Sequence, residues 1–115
     1  MVQGISEREA QIRSFLAAYE LKDIEKISKM FATNVVLRDW NLEVSGPDAA
    51  LAEYSKNFRD ANSLQVTVNQ IYESESGIAA QLEIVVNDSE KLNVVDVFTF
   101  NEANKITSVV AYRGL

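Results

Sequence analysis

The chain has no cysteine and no histidine in its 115 residues. Without cysteine there is no disulfide, no thiol nucleophile and no thiolate metal site, and a reducing cytoplasm is the expected compartment. Without histidine there is no Ser-His-Asp or Cys-His system, and the ligand on which most catalytic zinc sites depend is missing. Acid–base chemistry, if there is any, falls to Asp, Glu, Tyr or Lys. Positive charge is scarce as well, with 11 basic against 17 acidic residues and a net charge of −6. Such a chain repels a phosphate backbone, and it carries no basic cluster or RNA-binding signature. Neither nucleic acid nor an anionic membrane is an expected partner. No apolar run approaches the roughly 20 residues needed to cross a bilayer. The opening "MVQGISEREA" lacks a basic segment followed by an apolar one, so no secretory leader is expected. The "NDS" at 87–89 is then a chance match to a glycosylation acceptor.

What the chain does have is ordinary for a globular protein, 47% hydrophobic and 24% charged residues. Its length predicts one domain over residues 1–115 with a real core. No repeat, linker or low-complexity segment divides it. Ile12, Phe15, Leu16 and Tyr19 fall at i, i+3, i+4 and i+7, one stripe of an amphipathic helix. Ser6 and Glu9 fit a capping box before it. Asp23 can cap a shorter helix bearing Ile24, Ile27 and Phe31. An extended segment from Val35 to about Val44 follows. The single proline, Pro47, suits the first position of a third helix, with Ser45 or Gly46 as its cap and Leu51, Tyr54 and Phe58 as its stripe.

From Leu64 the period changes to two. Leu64, Val66 and Val68 alternate with polar residues, as do Ile78, Ala80, Leu82, Ile84 and Val86. Then come Leu92, Val94, Asp96, Phe98 and Phe100, and finally Ile106, Ser108, Val110 and Tyr112. The breaks "SESG", "NDSE" and "NEANK" are hairpin loops, which makes these runs an antiparallel meander. Helices first and strands last is an α+β pattern: three N-terminal helices on a curved antiparallel sheet, with a concavity between the layers.

Two aspartates break the apolar faces. Asp39 has the parity of Val35 and Leu37, at the end of its strand and beside Trp40. Asp96 belongs to the most apolar stripe in the chain, the one with two phenylalanines. A carboxylate in such a place needs partners or becomes protonated. Keeping an Asp neutral at pH 7 means raising its pKa by about three units, or about 4 kcal/mol. Alone, Asp39 also fits a solvated strand end, and Asp96 a buried salt-bridge partner of Arg113 or Arg38. Two aspartates on apolar faces favour a site more than either does alone.

Two stretches carry a resemblance. "DIEKISKMFATNVVLRDW" resembles the helix-to-strand passage, and "VVDVFTFNEANKITSVVAY" the last two strands, of the nuclear transport factor 2-like superfamily. The ketosteroid isomerase and SnoaL-like polyketide cyclase branches are the most similar, from about Glu7 to Tyr112. The resemblance implies a cone-shaped α+β barrel, also called cystatin-like. In ketosteroid isomerases the aspartate ending the first strand is the general base, and a protonated aspartate on the D-x-F-x-F strand donates to the developing oxyanion. By resemblance these roles fall to Asp39 and Asp96. The family's main oxyanion donor is a tyrosine in the first helix, and the matching position here is Phe15. Losing one such donor typically costs about 10² to 10³ in rate. Tyr19, Tyr54, Tyr112 and the Trp40 indole are substitutes, each with the plain alternative of a core aromatic whose polar tip is satisfied. The superfamily's epoxide hydrolases use an Arg-flanked carboxylate pair that has no match here, and its scytalone dehydratases depend on histidines.

The expected ligand is a small, mostly apolar molecule carrying a carbonyl, walled by Phe15, Leu37, Phe58, Val94 and Phe98. No metal or organic cofactor is expected. The alternative is a non-catalytic ligand-binding or dimerisation domain of the same fold. The resemblance further implies a homodimer through the sheet face opposite the helices, where Val95 and Val97 would share a patch with Val109 and Ala111.

Overall fold

The computed structural model describes residues 4–114, so the leader reading falls partly on residues outside that range. Helix α1 spans Glu7–Glu20 and α2 Ile24–Ser28. Strands β1 (Phe31–Arg38) and β2 (Glu43–Ser45) precede helix α3 (Pro47–Asp60). The meander follows as β3 (Leu64–Ser74), β4 (Gly77–Val86), β5 (Glu90–Phe100) and β6 (Ile106–Arg113).

The helix starts follow the local signals. Ser6 caps α1 by accepting the Glu9 N–H at 2.9 Å, while the Glu9 carboxylate pairs with Arg13 at 3.0 Å. Asp23 accepts the Lys26 N–H at the start of α2. Pro47 opens α3, with Gly46 at φ +90° as the cap. The second helix is shorter than its spacing implied, and Phe31 lies in a strand. The cause is tertiary: the Met30 carbonyl accepts the Ile106 N–H at 2.8 Å, which places Phe31 opposite Ile106. The extended segment thus begins at Phe31 and comprises two strands.

The sheet order is β2-β1-β6-β5-β4-β3. All neighbours are antiparallel except β1 and β6, which run parallel. The three-helix α+β layout therefore stands, with a mixed sheet in place of a wholly antiparallel one. The sheet is also open and not a closed barrel, because the three-residue β2 and the long β3 lie at its opposite ends. Alternation shows which side of a strand is apolar but says nothing of its neighbour's direction.

Register decides which residues face the helices. Asp96 lies opposite Ala80 of β4 and Ala111 of β6, and Phe98 lies opposite Ile78 and Val109. These apolar partners are buried, except Ala111 at intermediate depth, and Phe98 has 0% exposure. Between Thr99–Ser108 and Phe100–Ile106 the pairing skips Thr107, so β6 carries one extra residue. That bulge reverses parity beyond it. Ile106 points inward, but so do Val109 and Ala111, while Val110 and Tyr112 turn to the outer face with Val97 and Val95. Tyr112 is 58% exposed and off the expected wall, and Val109 and Ala111 are lost to the outer patch.

The core is an aromatic cluster between α1, α3 and the sheet. Phe15 meets Phe98 edge-on at 5.4 Å and Tyr54 at 6.0 Å, and Phe31 stacks on Tyr54 at 6.1 Å. At the edge of β4, Gly77 lies so close to β5 that a Cβ there would sit 2.1 Å from the Phe98 carbonyl oxygen. Backbone cannot yield as a side chain can. Gly77→Ala should therefore cost about 1–3 kcal/mol, seen as a lower urea midpoint.

Candidate functional site

Between the helices and the concave face of the sheet lies a cavity of about 340 Å³, within the small end of the ligand-pocket range. Helix α1 contributes Phe15 and Tyr19, and α3 contributes Glu53, Tyr54 and Asn57. The end of β1 and the turn after it supply Leu37, Asp39, Trp40 and Asn41. From the sheet come Val94 and Asp96 of β5, with aliphatic residues of β3, β4 and β6 around them. Asp39 and Asp96, far apart in sequence, thus reach one hollow. Phe58 and Phe98 do not line it. Phe58 backs the wall through Tyr19 and Tyr54, at 5.0 and 6.3 Å, and Phe98 supports Phe15 from below.

Asp39 is placed by the turn it makes. Its Oδ1 accepts the N–H groups of Asn41 at 2.7 Å and Leu42 at 3.0 Å, and its own N–H donates to the Leu42 carbonyl at 2.9 Å. This is the self-bonding turn for which Asp and Asn are favoured. It accounts for one carboxylate oxygen, and Oδ2 accepts no hydrogen bond among the described residues. The carboxylate is half-buried at the cavity wall.

Asp96 is held differently. Its carboxyl makes no hydrogen bond or ion pair with another described side chain. Neither arginine considered as its partner reaches it: Arg38 lies 4.0 Å from Glu43, and Arg113 sits over the Trp40 ring at 5.8 Å. Burial therefore acts unopposed on the charged form and pushes the Asp96 pKa from 3.8 up to about 7. The neighbouring phenols move the same way. Burial raises Tyr19 to about 12, against a hydrogen bond with the Asn57 side chain and with the fields of Asp96 and Asp39 adding to the rise. Burial, then Asp96, Tyr19 and Asp39, also raise Tyr54 well above the usual phenol range.

Asn57, Glu53 and Asp60 on the cavity were not singled out by the sequence reading. Asn57 follows Tyr54 by three residues, the spacing that puts two side chains on one helix face, so a signal was there to find. Of the described residues, four carboxyl groups and no Lys or Arg line the cavity. Among the described residues no group of three or more acidic side chains is placed to hold a metal ion. No helix among the described residues is long and apolar enough to cross a membrane.

The model of the SnoaL-like domain matches residues 12–109, and the chain belongs to that family. Solved structures share the fold. A nuclear transport factor 2-like protein of unknown function from Cytophaga hutchinsonii superposes with a TM-score of 0.79 at 14% identity, over 99% of this chain and 95% of that one. A Kribbella flavida protein described as a candidate ketosteroid isomerase gives 0.82 at 14%, over 94% and 78%. SalBIII, an epoxide hydrolase/cyclase-like enzyme of pyran ring formation in salinomycin, gives 0.82 at 19%, over 95% and 92%. At these identities the likeness is one of fold. No curated protein matches the sequence at a significant level.

Proposed function

We propose that the chain is an isomerase- or cyclase-type enzyme that removes a proton alpha to a carbonyl of a small, mostly apolar substrate. Asp39 takes the proton on its free Oδ2. Neutral Asp96 hydrogen-bonds the enolate oxygen, which spreads the charge as it develops. The step needs no metal or organic cofactor. The observation that carries this reading is that Asp39 and Asp96 share one cavity, where burial holds Asp96 up near 7. The all-acidic charge of the wall favours an uncharged ligand over a carboxylate or phosphate.

The test is solvent exchange. In D₂O, one or more β,γ-unsaturated ketones or polyketide-like carbonyl compounds should take up deuterium at the alpha carbon faster than in buffer alone. The rate should fall about tenfold per pH unit above about 7, as Asp96 loses its proton. No enhancement across the panel, or a rate that rises through that range, contradicts the scheme.

A second reading is a ligand-binding domain without chemistry. The turn role of Asp39 favours it, since that role alone explains a carboxylate at the strand end. Ligand binding with no exchange would select it. On either reading we place a homodimer contact on the outer sheet face, where Val95 and Val97 lie with Val110 and Tyr112.

A further inference from the structure

We propose that the substrate carries on its carbonyl an unbranched aliphatic chain of about ten carbons, laid in a trough that leads from Asp96 over β5, β4 and β3. This inference rests on the enolising site proposed above, because it needs the carbonyl to lie at Asp96.

The two sides of the cavity differ. In the sheet, β6 and β1 lie on one side of β5, and β4 and β3 on the other. Asp39 and Trp40 follow β1, so the sheet's polar contributions to the wall come from that first side and from Asp96 on β5. On the other side the strands offer only branched aliphatic groups. They are Leu64 and Val66 of β3 and Ile84 and Val86 of β4, continued by Leu92 and Val94 of β5. Pairing sets these side chains in ranks. Val66 lies opposite Ile84 and Ile84 opposite Leu92, so one rank crosses three strands, and Leu64 with Val86 begins the next. Along β5, Asp96, Val94 and Leu92 share a face, and the stretch from Asp96 to Leu92 covers about 14 Å at the usual strand rise. An extended hydrocarbon advances about 1.25 Å per carbon, so about ten carbons reach the Leu92 rank.

Burial fixes the direction of the chain. Past Asp96 on one side the core is sealed, with Phe98 at 0% and Ile78 at 1% exposure, so an occupant extends only toward Leu92. There Val66, Ile84, Val86 and Leu92 are only partly buried although they line the cavity. Apolar surface left facing water is unfavourable, and a methylene chain laid against it relieves that in proportion to the area covered. The shape of the wall favours a chain over fused rings. Flat ring systems pack on aromatic faces, and the tyrosines and the tryptophan of the cavity come from α1, α3 and the turn after β1, not from these strands. The volume agrees, since about 340 Å³ at interior packing density holds about a dozen carbon-sized groups.

The experiment measures binding of unbranched 2-alkanones, from pentan-2-one to tridecan-2-one, to the full chain by equilibrium dialysis. Affinity should rise about two- to fourfold per methylene and level off near dodecan-2-one. Decalin-2-one has the carbon count of decan-2-one but cannot follow the trough, and it should bind about tenfold more weakly. Val66→Trp and Leu92→Trp each place an indole across the Val66–Ile84–Leu92 rank, from two different strands. In whichever of them circular dichroism shows to be folded, the rise should end near octan-2-one. The wild-type series decides the matter even if neither variant folds. Affinity that does not grow with chain length, that decalin-2-one matches, or that keeps its full rise in a folded variant overturns the chain. A clear rise with no deuterium exchange in any ketone leaves the trough standing and removes the enolising reading. Exchange without any dependence on chain length does the reverse, and a series that does not bind overturns both.

Discussion

Asp39→Asn should lower turnover by about 10² to 10⁴, the range for removing a positioned general base. The substitution is informative because of the turn. The asparagine Oδ1 can still accept from the backbone N–H groups of Asn41 and Leu42, so the mouth of the cavity keeps its shape. Only the basic oxygen is lost. Asp39→Ala would remove both turn and base and could not separate them. The expected pattern is a large fall in kcat, ligand binding within a few-fold of the wild type, and an unchanged thermal midpoint. Turnover unaffected by Asp39→Asn would take Asp39 out of the mechanism and favour its structural role.

Asp96 should show two effects of opposite sign. Asp96→Ala removes a donor aimed at the developing oxyanion and should reduce kcat by about 10² to 10³. Stability should move the other way. A rise from 3.8 to about 7 separates the two protonation states by on the order of 4 kcal/mol. Solvent access through the cavity makes that figure a ceiling. Between these two values the folded chain retains a proton that the unfolded chain has released. Stability from this group is therefore full below 3.8, falls as the pH rises toward 7, and stays low above it. Asp96→Asn cannot ionise and escapes that loss. It should match the wild type in mild acid and unfold at higher denaturant than the wild type above neutrality. A variant less stable than the wild type at every pH would mean that Asp96 is a paired structural carboxylate.

Much of this was legible because local chemistry and burial agree. The β5 stripe with Phe98 and Phe100 left one face for Asp96, and register confirms that face through Ile78, Ala80 and Val109. Pro47 and Asp23 marked their helix starts because capping is decided within one turn. Long-range pairing was not legible. Nothing in Val35, Leu37 or Ile106 says that β1 runs parallel to β6, and Phe31 has the spacing of a helix but is taken by a strand partner. The single extra residue at Thr107 reversed the outlook of everything after it and moved Tyr112 off the cavity. Asp39 was read for its parity, yet two N–H groups of its own turn hold it, which periodicity does not report. Asn57 was passed over because a polar residue on a helix is usually read as solvated surface, and it is indeed largely exposed.

The central claim is that Asp96 looks into the largely apolar hollow shared with Asp39 and keeps its proton up to a pH of about 7. A ¹³C NMR titration of the Asp96 side-chain carboxyl, assigned by its loss in Asp96→Asn, measures this directly. The expected midpoint is about 7. A midpoint near the ordinary 3.8 would contradict the account, because a carboxylate that ionises so easily is either solvated or already paired.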